Sequence, residues 1–230
     1  VKVFGAGEVE VVPVERGGRR IAVVYGISYA RREERRNLAA LFRRREGPGV
    51  HVAVLHASVG GHPGHEPYAP CSPDDLRAAG MDYWALGHVH VRQVVLRGRP
   101  WAAYPGNLQG RSPAPGELGP KGALVVECDD ELGVLGEPRF VPLDRVRFAA
   151  LELDVSHTRD LPGALAELER ALGALQEEHA GRGLVVRARL LGLPSWHADA
   201  ARTDPGDLLR ALREQLSLIH ISEPTRLLSI

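Results

Sequence analysis

Tyr83-Trp84-Ala85-Leu86-Gly87-His88-Val89-His90 decides how this chain is read. An apolar run of strand length ends in glycine and then delivers two histidines one residue apart. On an extended segment, side chains two apart point to the same side, so both imidazoles reach one place. Gly87 lets the backbone turn there at little steric cost. Working outward, a second run, His51-Val52-Ala53-Val54-Leu55, is followed directly by His56. Two buried strands that each deliver histidine predict an open α/β sheet with its site just beyond the strand ends. Neutral imidazole suits zinc, manganese and iron ions, and carboxylates usually complete such a set. His56, His88 and His90 are therefore the candidate metal ligands.

Composition sets only broad limits. The 230 residues suffice for one large or two small domains, and 44% hydrophobic with 25% charged content is ordinary for a globular protein. Formal net charge is zero, from 29 basic and 29 acidic residues, so any contact with DNA must come from local patches. Only Lys2 and Lys121 among the basic residues are lysine. Arginine suits phosphate recognition, but the abundance of Ala, Gly and Pro traces the bias to a GC-rich genome. Cys71 and Cys128 lie far apart without a CxxC pattern, which argues against a disulfide framework and for a reducing, cytoplasmic setting. Cys71, just before a helix start, reads as packed rather than ligating. No apolar span is long enough for a membrane helix, and no signal peptide is visible. The chain opens at Val1 without Met and enters strand-like sequence at once, which reads as a lost start.

Along the chain, residues 9–14 and 21–25 are β-rich runs separated by Arg16-Gly17-Gly18-Arg19, a hairpin pattern. Residues 31–45 read as a charged helix with Leu38, Leu41 and Phe42 on one face and a solvated arginine face, ended by Gly47-Pro48-Gly49. A strand at 50–55 follows, then a Gly/Pro/His loop over 57–71. Ser72-Pro73-Asp74-Asp75 starts a helix with a capping box, and Gly80 ends it. After His90 the pattern turns to β, with strands at 93–96, 101–104, 123–128 and 139–141. A second unit begins near residue 148: a strand, a helix from Asp160 with a stripe of Leu161, Leu165, Leu168, Leu172 and Leu175, and a strand at 184–191. Residues 207–216 look like the start of another helix. Residues 216–230 continue no pattern and resemble translated sequencing adapter, a tail with no selected structure.

The segments around the histidines, His56-Ala57-Ser58-Val59-Gly60-Gly61-His62-Pro63-Gly64-His65-Glu66-Pro67, Tyr83 through His90, and Tyr104-Pro105-Gly106-Asn107-Leu108-Gln109-Gly110-Arg111, carry a resemblance. They resemble the DNA repair exonuclease branch of the calcineurin-like metallophosphoesterases, the YhaO type more than the SbcD type. The likeness spans about residues 3 to 150, is strong over 50–112, and weakens in the C-terminal unit, where that family places its capping domain. It implies an α/β fold: the C-terminal part of a metallophosphoesterase β-sandwich flanked by helices over 1–147, a small α+β capping domain over 148–215, and a non-native tail over 216–230.

By the same resemblance, His56 and His88 bind one metal ion and His90 the other, manganese being the expected ion. Two ions about 4 Å apart activate a water and hold the phosphate oxygens of an in-line displacement. Imidazoles cannot bridge two cations, and the chain offers no bridging carboxylate candidate. The family's earlier Asp-X-His, Gly-Asp-X-X-Asp and Gly-Asn-His motifs, including the histidine that assists the leaving group, are absent from the sequence. The expectation is that this stretch alone binds metal weakly and has little nuclease activity. His62, His65, Asn107 and Arg111 are candidate contacts to substrate phosphate, although turn chemistry alone also explains Asn107. The implied partners are DNA and an SMC-like ATPase, with room for a homodimer. Two other functions fit the same residues: a phosphoesterase for small phosphodiesters or phosphoproteins, and a catalytically silent structural subunit.

Overall fold

A computed structural model describes residues 2–31, 33–61, 68–200 and 210. The architecture is mixed α/β, mostly sheet with few helices. Two compact units divide the chain, Val1–Arg145 and Val146–Ile230.

In the first unit, β1 (Glu10–Arg16) and β2 (Arg19–Gly26) form the expected antiparallel hairpin. Gly17 and Gly18 take φ of +59° and +76°, the paired left-handed angles that a two-residue hairpin turn needs. Four more strands complete the central sheet: β3 (Val50–His56), β4 (Tyr83–Gly87), β5 (Gln93–Leu96) and β6 (Trp101–Tyr104). Its order is β1-β2-β3-β4-β6-β5. Strands β2, β3, β4 and β6 run parallel, while β1 and β5 are antiparallel edges. Beyond it, β7 (Gly122–Val125), β8 (Cys128–Asp129), β9 (Gly133–Val134) and β10 (Arg139–Pro142) form two short ribbons, β7 with β10 and β8 with β9.

Strand parity sorts β3 into two faces. His51, Ala53 and Leu55 are buried, whereas Val54 and His56 are exposed on the other side. The buried face packs on Trp84, whose ring lies 4.9 Å from Phe42 and whose Nε1 donates to the Leu76 carbonyl at 3.1 Å. Helix α1 (Pro73–Ala78) begins as read from sequence: Ser72 Oγ accepts from the Asp75 amide, and Asp75 accepts from the Ser72 amide.

The charged helix expected over 31–45 does not form among the described residues; only the single 3-10 turn Ala39–Leu41 is present. Glu34 accounts for the difference. Its carboxylate accepts from the Arg36 amide and from Nε and a terminal nitrogen of the Arg36 guanidinium, which fixes a tight non-helical loop. Its carbonyl accepts from Ala69, so the bond a helix would make four residues on is spent on a distant segment. Asn37 Oδ1 accepts from the Ala40 amide at 3.2 Å, a local side-chain bond beside the 3-10 turn. Leu38 and Phe42 are buried as expected, but Leu41 is 47% exposed.

At the opposite end of the sheet from the strand-end histidines sits a buried polar hub. Asp82 is 2% exposed. Its carboxylate accepts from the His51 amide, from Arg44 at 2.9 Å, and from Nε and a terminal nitrogen of Arg99 at 3.0 and 2.8 Å. Burial alone would raise its pKa; these donors outweigh burial and hold it below the ordinary carboxylate value. The His51 ring is also buried, with Nδ1 2.7 Å from the Tyr25 hydroxyl, which itself accepts from the Arg45 amide.

Burial, with the nearby Arg44 and Arg20 charges, lowers the His51 pKa below 6.5 against the opposing pull of the Gly47 carbonyl and Asp82. The unfolded chain therefore takes up a proton at His51 at higher pH than the folded chain. Stability is full above the unfolded pKa and falls as pH drops toward the folded one. We expect the urea midpoint to fall between about pH 7.5 and about pH 5.5, with His51 resisting protonation in NMR titration. A His51 that titrates at its ordinary value would contradict this.

The second unit is a β-α-β element. β11 (Val146–Asp154) and β12 (Gly183–Leu191) pair in parallel, connected through α2 (Leu161–Glu178). Asp160 caps α2 by accepting from the Gly163 amide at 2.8 Å. The leucine stripe packs as core: Leu165 and Leu168 are buried, with Leu161 and Leu172 beside Leu151 and Leu153 of β11. The expected helix at 207–216, apart from residue 210, and the tail at 216–230 lie outside the described residues.

Candidate functional site

The parallel pairing of β3 with β4 places His56 opposite Gly87. This register brings the imidazoles of His56 and His88 together at the C-terminal end of the sheet, 5.2 Å between ring centroids and edge to face. A Cβ on residue 87 would lie 3.0 Å from His56 Nδ1. Gly87 thus leaves room for the His56 ring, and its own φ is not in the left-handed region. The turn falls on His88, whose φ is +105°. His88 and His90 are consequently not alternate residues of an extended segment, as the sequence predicts. β4 has already ended at Gly87, and Val89 between them is buried. A non-glycine residue in this region is strained by about 1–3 kcal/mol, and such strain persists where the surroundings over-determine it.

Aromatic rings wall the pair. Tyr29 stands edge-on to His56 at 5.7 Å, and its hydroxyl donates to the His56 carbonyl. Tyr68 stands edge-on to His88 at 5.1 Å. His56 is exposed at the rim, yet desolvation on its packed side, followed by the charge His90 can carry, lowers its pKa below 6.5. Neutral imidazole is the metal-binding form. A groove of about 470 Å³, walled by Val54, Ala85, Leu108 and Leu124, opens beside His56 and Gly87.

His90 is held differently. Its Nδ1 lies 2.8 Å from Glu117 Oε1. Glu117 also accepts from Asn107 Nδ2 at 2.6 Å and from the Arg111 amide at 3.1 Å. Burial pushes the Glu117 pKa up, but His90, Asn107 and Arg111 together outweigh it and bring it down to about 2. Asn107 Nδ2 and the Arg111 backbone amide are thus engaged by this carboxylate. Only the Arg111 guanidinium, 69% exposed, retains a free flank. Cys71 is packed: burial raises its thiol pKa to about 11. His62 and His65 lie outside the described residues.

Glu117 is the residue that sequence reasoning passes over. It lies 27 positions beyond His90, in the short turn Pro115–Glu117, and no spacing rule links the two. A carboxylate hydrogen-bonded to the second nitrogen of a ligating histidine is a common metal-site arrangement, and that chemistry is the only signal that could have prompted a search for it.

The donor chemistry fits the nitrogen side of a divalent-ion site: two adjacent imidazoles and a third oriented by a carboxylate. The described residues do not by themselves supply the ligands of two ions. Among the described residues, no group of three His, Cys, Asp or Glu side chains is arranged to hold a metal, and the Glu117 carboxylate is already engaged.

Two comparisons with known proteins bear on the class. Residues 148–223 match the family model described as Metallophosphoesterase YhaO, middle domain. Over 216 residues, 94% of this chain and 51% of the relative, the sequence is 35% identical to a protein of Bacillus subtilis (strain 168) described as an uncharacterized metallophosphoesterase, YhaO. The chain spans about half the length of that curated relative. Together these likenesses support a metallophosphoesterase.

Proposed function

We propose that this chain carries the histidine side of the active centre of a metal-dependent phosphodiesterase, a DNA exonuclease acting in DNA repair. The observation that carries the proposal is the His56–His88 pair, 5.2 Å apart across the β3–β4 register at the C-terminal edge of a parallel sheet. His56, His88 and His90 are its metal ligands. The donors that complete a two-ion site, including a bridging carboxylate, come from outside the described residues. A divalent ion held there, manganese in this proposal, supplies Lewis-acid polarisation of the phosphate and an activated water. The chain's own residues orient and desolvate. Tyr29 and Tyr68 pack edge-on against the imidazole pair and hold its orientation, and the exposed Arg111 guanidinium meets substrate phosphate.

The proposed fold around this site is a metallophosphoesterase β-sandwich followed by a capping domain. The proposed setting is cytoplasmic, beside an SMC-like ATPase that presents DNA ends. No described helix is long and apolar enough to cross a membrane. A silent structural subunit is the competing function, favoured by the lack of a three-donor group among the described residues. One assay separates them. The full-length protein that contains this chain, supplied with Mn²⁺, should digest linear DNA, and the His90→Ala variant should not. Unchanged digestion by that variant would remove the metal role, and activity only on small phosphodiesters would replace the substrate.

A further inference from the structure

Glu117 is 8% exposed and ties together three segments that are separate in sequence. Its Oε1 faces His90 Nδ1 at 2.8 Å and an Arg111 terminal nitrogen at 3.4 Å; its Oε2 accepts from Asn107 Nδ2 and the Arg111 amide. The backbone of His90 is fixed as well. Lys121 Nζ donates to the His90 carbonyl at 3.0 Å and to the Gly116 carbonyl at 2.7 Å. A Cβ on residue 106 would fall 2.7 Å from the same His90 oxygen, so Gly106 is what allows this approach.

The chemistry then determines the tautomer. A carboxylate that already accepts from Asn107 Nδ2, the Arg111 amide and the Arg111 guanidinium is ionised and only accepts. His90 Nδ1 must therefore carry a proton, and in the neutral ring Nε2 keeps the lone pair. An Arg111 terminal nitrogen also lies 3.2 Å from Nδ1, but a guanidinium cannot donate to a nitrogen that already bears hydrogen. That contact is charge placed beside the Glu117 carboxylate, not a hydrogen bond to the ring.

We propose that Glu117 is the positioning residue of His90: it locks the Nδ1–H tautomer and the ring's orientation, so that Nε2 is presented as the ligating or proton-accepting atom. Its consequence for metal rests on the function proposed above; the tautomer itself does not.

The test is long-range ¹H–¹⁵N NMR of the metal-free 230-residue chain at about pH 7.5. Wild type should show His90 protonated on Nδ1 and bare on Nε2. Glu117→Leu should shift His90 toward a mixture or the Nε2–H form. Glu117→Gln should move it the same way: Asn107 Nδ2 and the Arg111 amide both donate at the Oε2 position, so the new amide keeps its oxygen there and turns its NH2 toward His90 Nδ1. A wild-type His90 protonated on Nε2, or a tautomer unmoved in Glu117→Leu, would overturn the proposal. If Glu117→Leu fails to fold, a His90 that keeps the Nδ1–H form in Glu117→Gln would overturn it too. Mn²⁺ titration supplies the separate arm. Glu117→Leu should weaken Mn²⁺ at His90 about 10–100-fold. A tautomer that responds without any change in Mn²⁺ affinity would uphold the positioning role and count against the metal site.

Discussion

Asp82→Ala is expected to lower the free energy of unfolding by about 3 kcal/mol, the low end of the cost of breaking a buried ion pair. The cost falls on the partners left behind. Arg44 and Arg99 are 33% and 67% exposed at their side chains, so both guanidiniums can return to water. The His51 amide, donating to Asp82 Oδ2 at 2.8 Å from a buried position, has no such escape. Asp82 also starts the strand that carries the site. Its amide donates to the His51 carbonyl and its carbonyl accepts from Trp101, which stitches β3, β4 and β6 at their N-terminal ends. Asp82→Asn keeps the shape and one acceptor and should lie between wild type and alanine. Urea unfolding followed by tryptophan fluorescence measures this, and an alanine variant within about 0.5 kcal/mol of wild type would contradict the role given to the hub.

Substitution of His88 should separate strain from function. His88→Ala keeps a Cβ at φ +105° and loses the ring; His88→Gly loses both the ring and the conformational penalty. Relief of about 1–3 kcal/mol of strain, less about 0.5–1 kcal/mol for glycine's extra freedom when unfolded, should leave the glycine variant about 1 kcal/mol more stable than alanine. Both variants should lose metal binding at this position, and the full-length protein carrying either should lose phosphodiester hydrolysis. A residue that costs stability where it stands, and whose removal abolishes activity, is present for its chemistry. If glycine and alanine prove equally stable, the strain is not there; if either keeps activity, His88 is not a ligand.

Local chemistry made much of the first unit legible. Gly17-Gly18 gave the hairpin, Ser72 with Asp75 gave the start of α1, and the apolar runs ending near His56 and Gly87 gave two neighbouring parallel strands. What escaped was set by contacts distant in sequence. Residues 31–45 have a helical pattern, but Glu34 spends its carboxylate on Arg36 and its carbonyl on Ala69. The Gly-His-X-His stretch looks extended, but the chain turns at His88, and Gly87 is explained only once His56 is seen opposite it. Glu117 was invisible because only the folded turns bring it to His90. The family model falls on residues 148–223, where the motif-based resemblance was weakest: a leucine-striped β-α-β element offers packing but no chemistry to recognise.

Paramagnetic broadening tests the central claim most directly. Small additions of Mn²⁺ to the isotope-labelled chain should broaden the ring signals of His56, His88 and His90 first and together, leaving His51, buried at the other end of the sheet, sharp. Broadening that begins elsewhere, or that touches one of the three without the others, would contradict a metal site built from these three histidines.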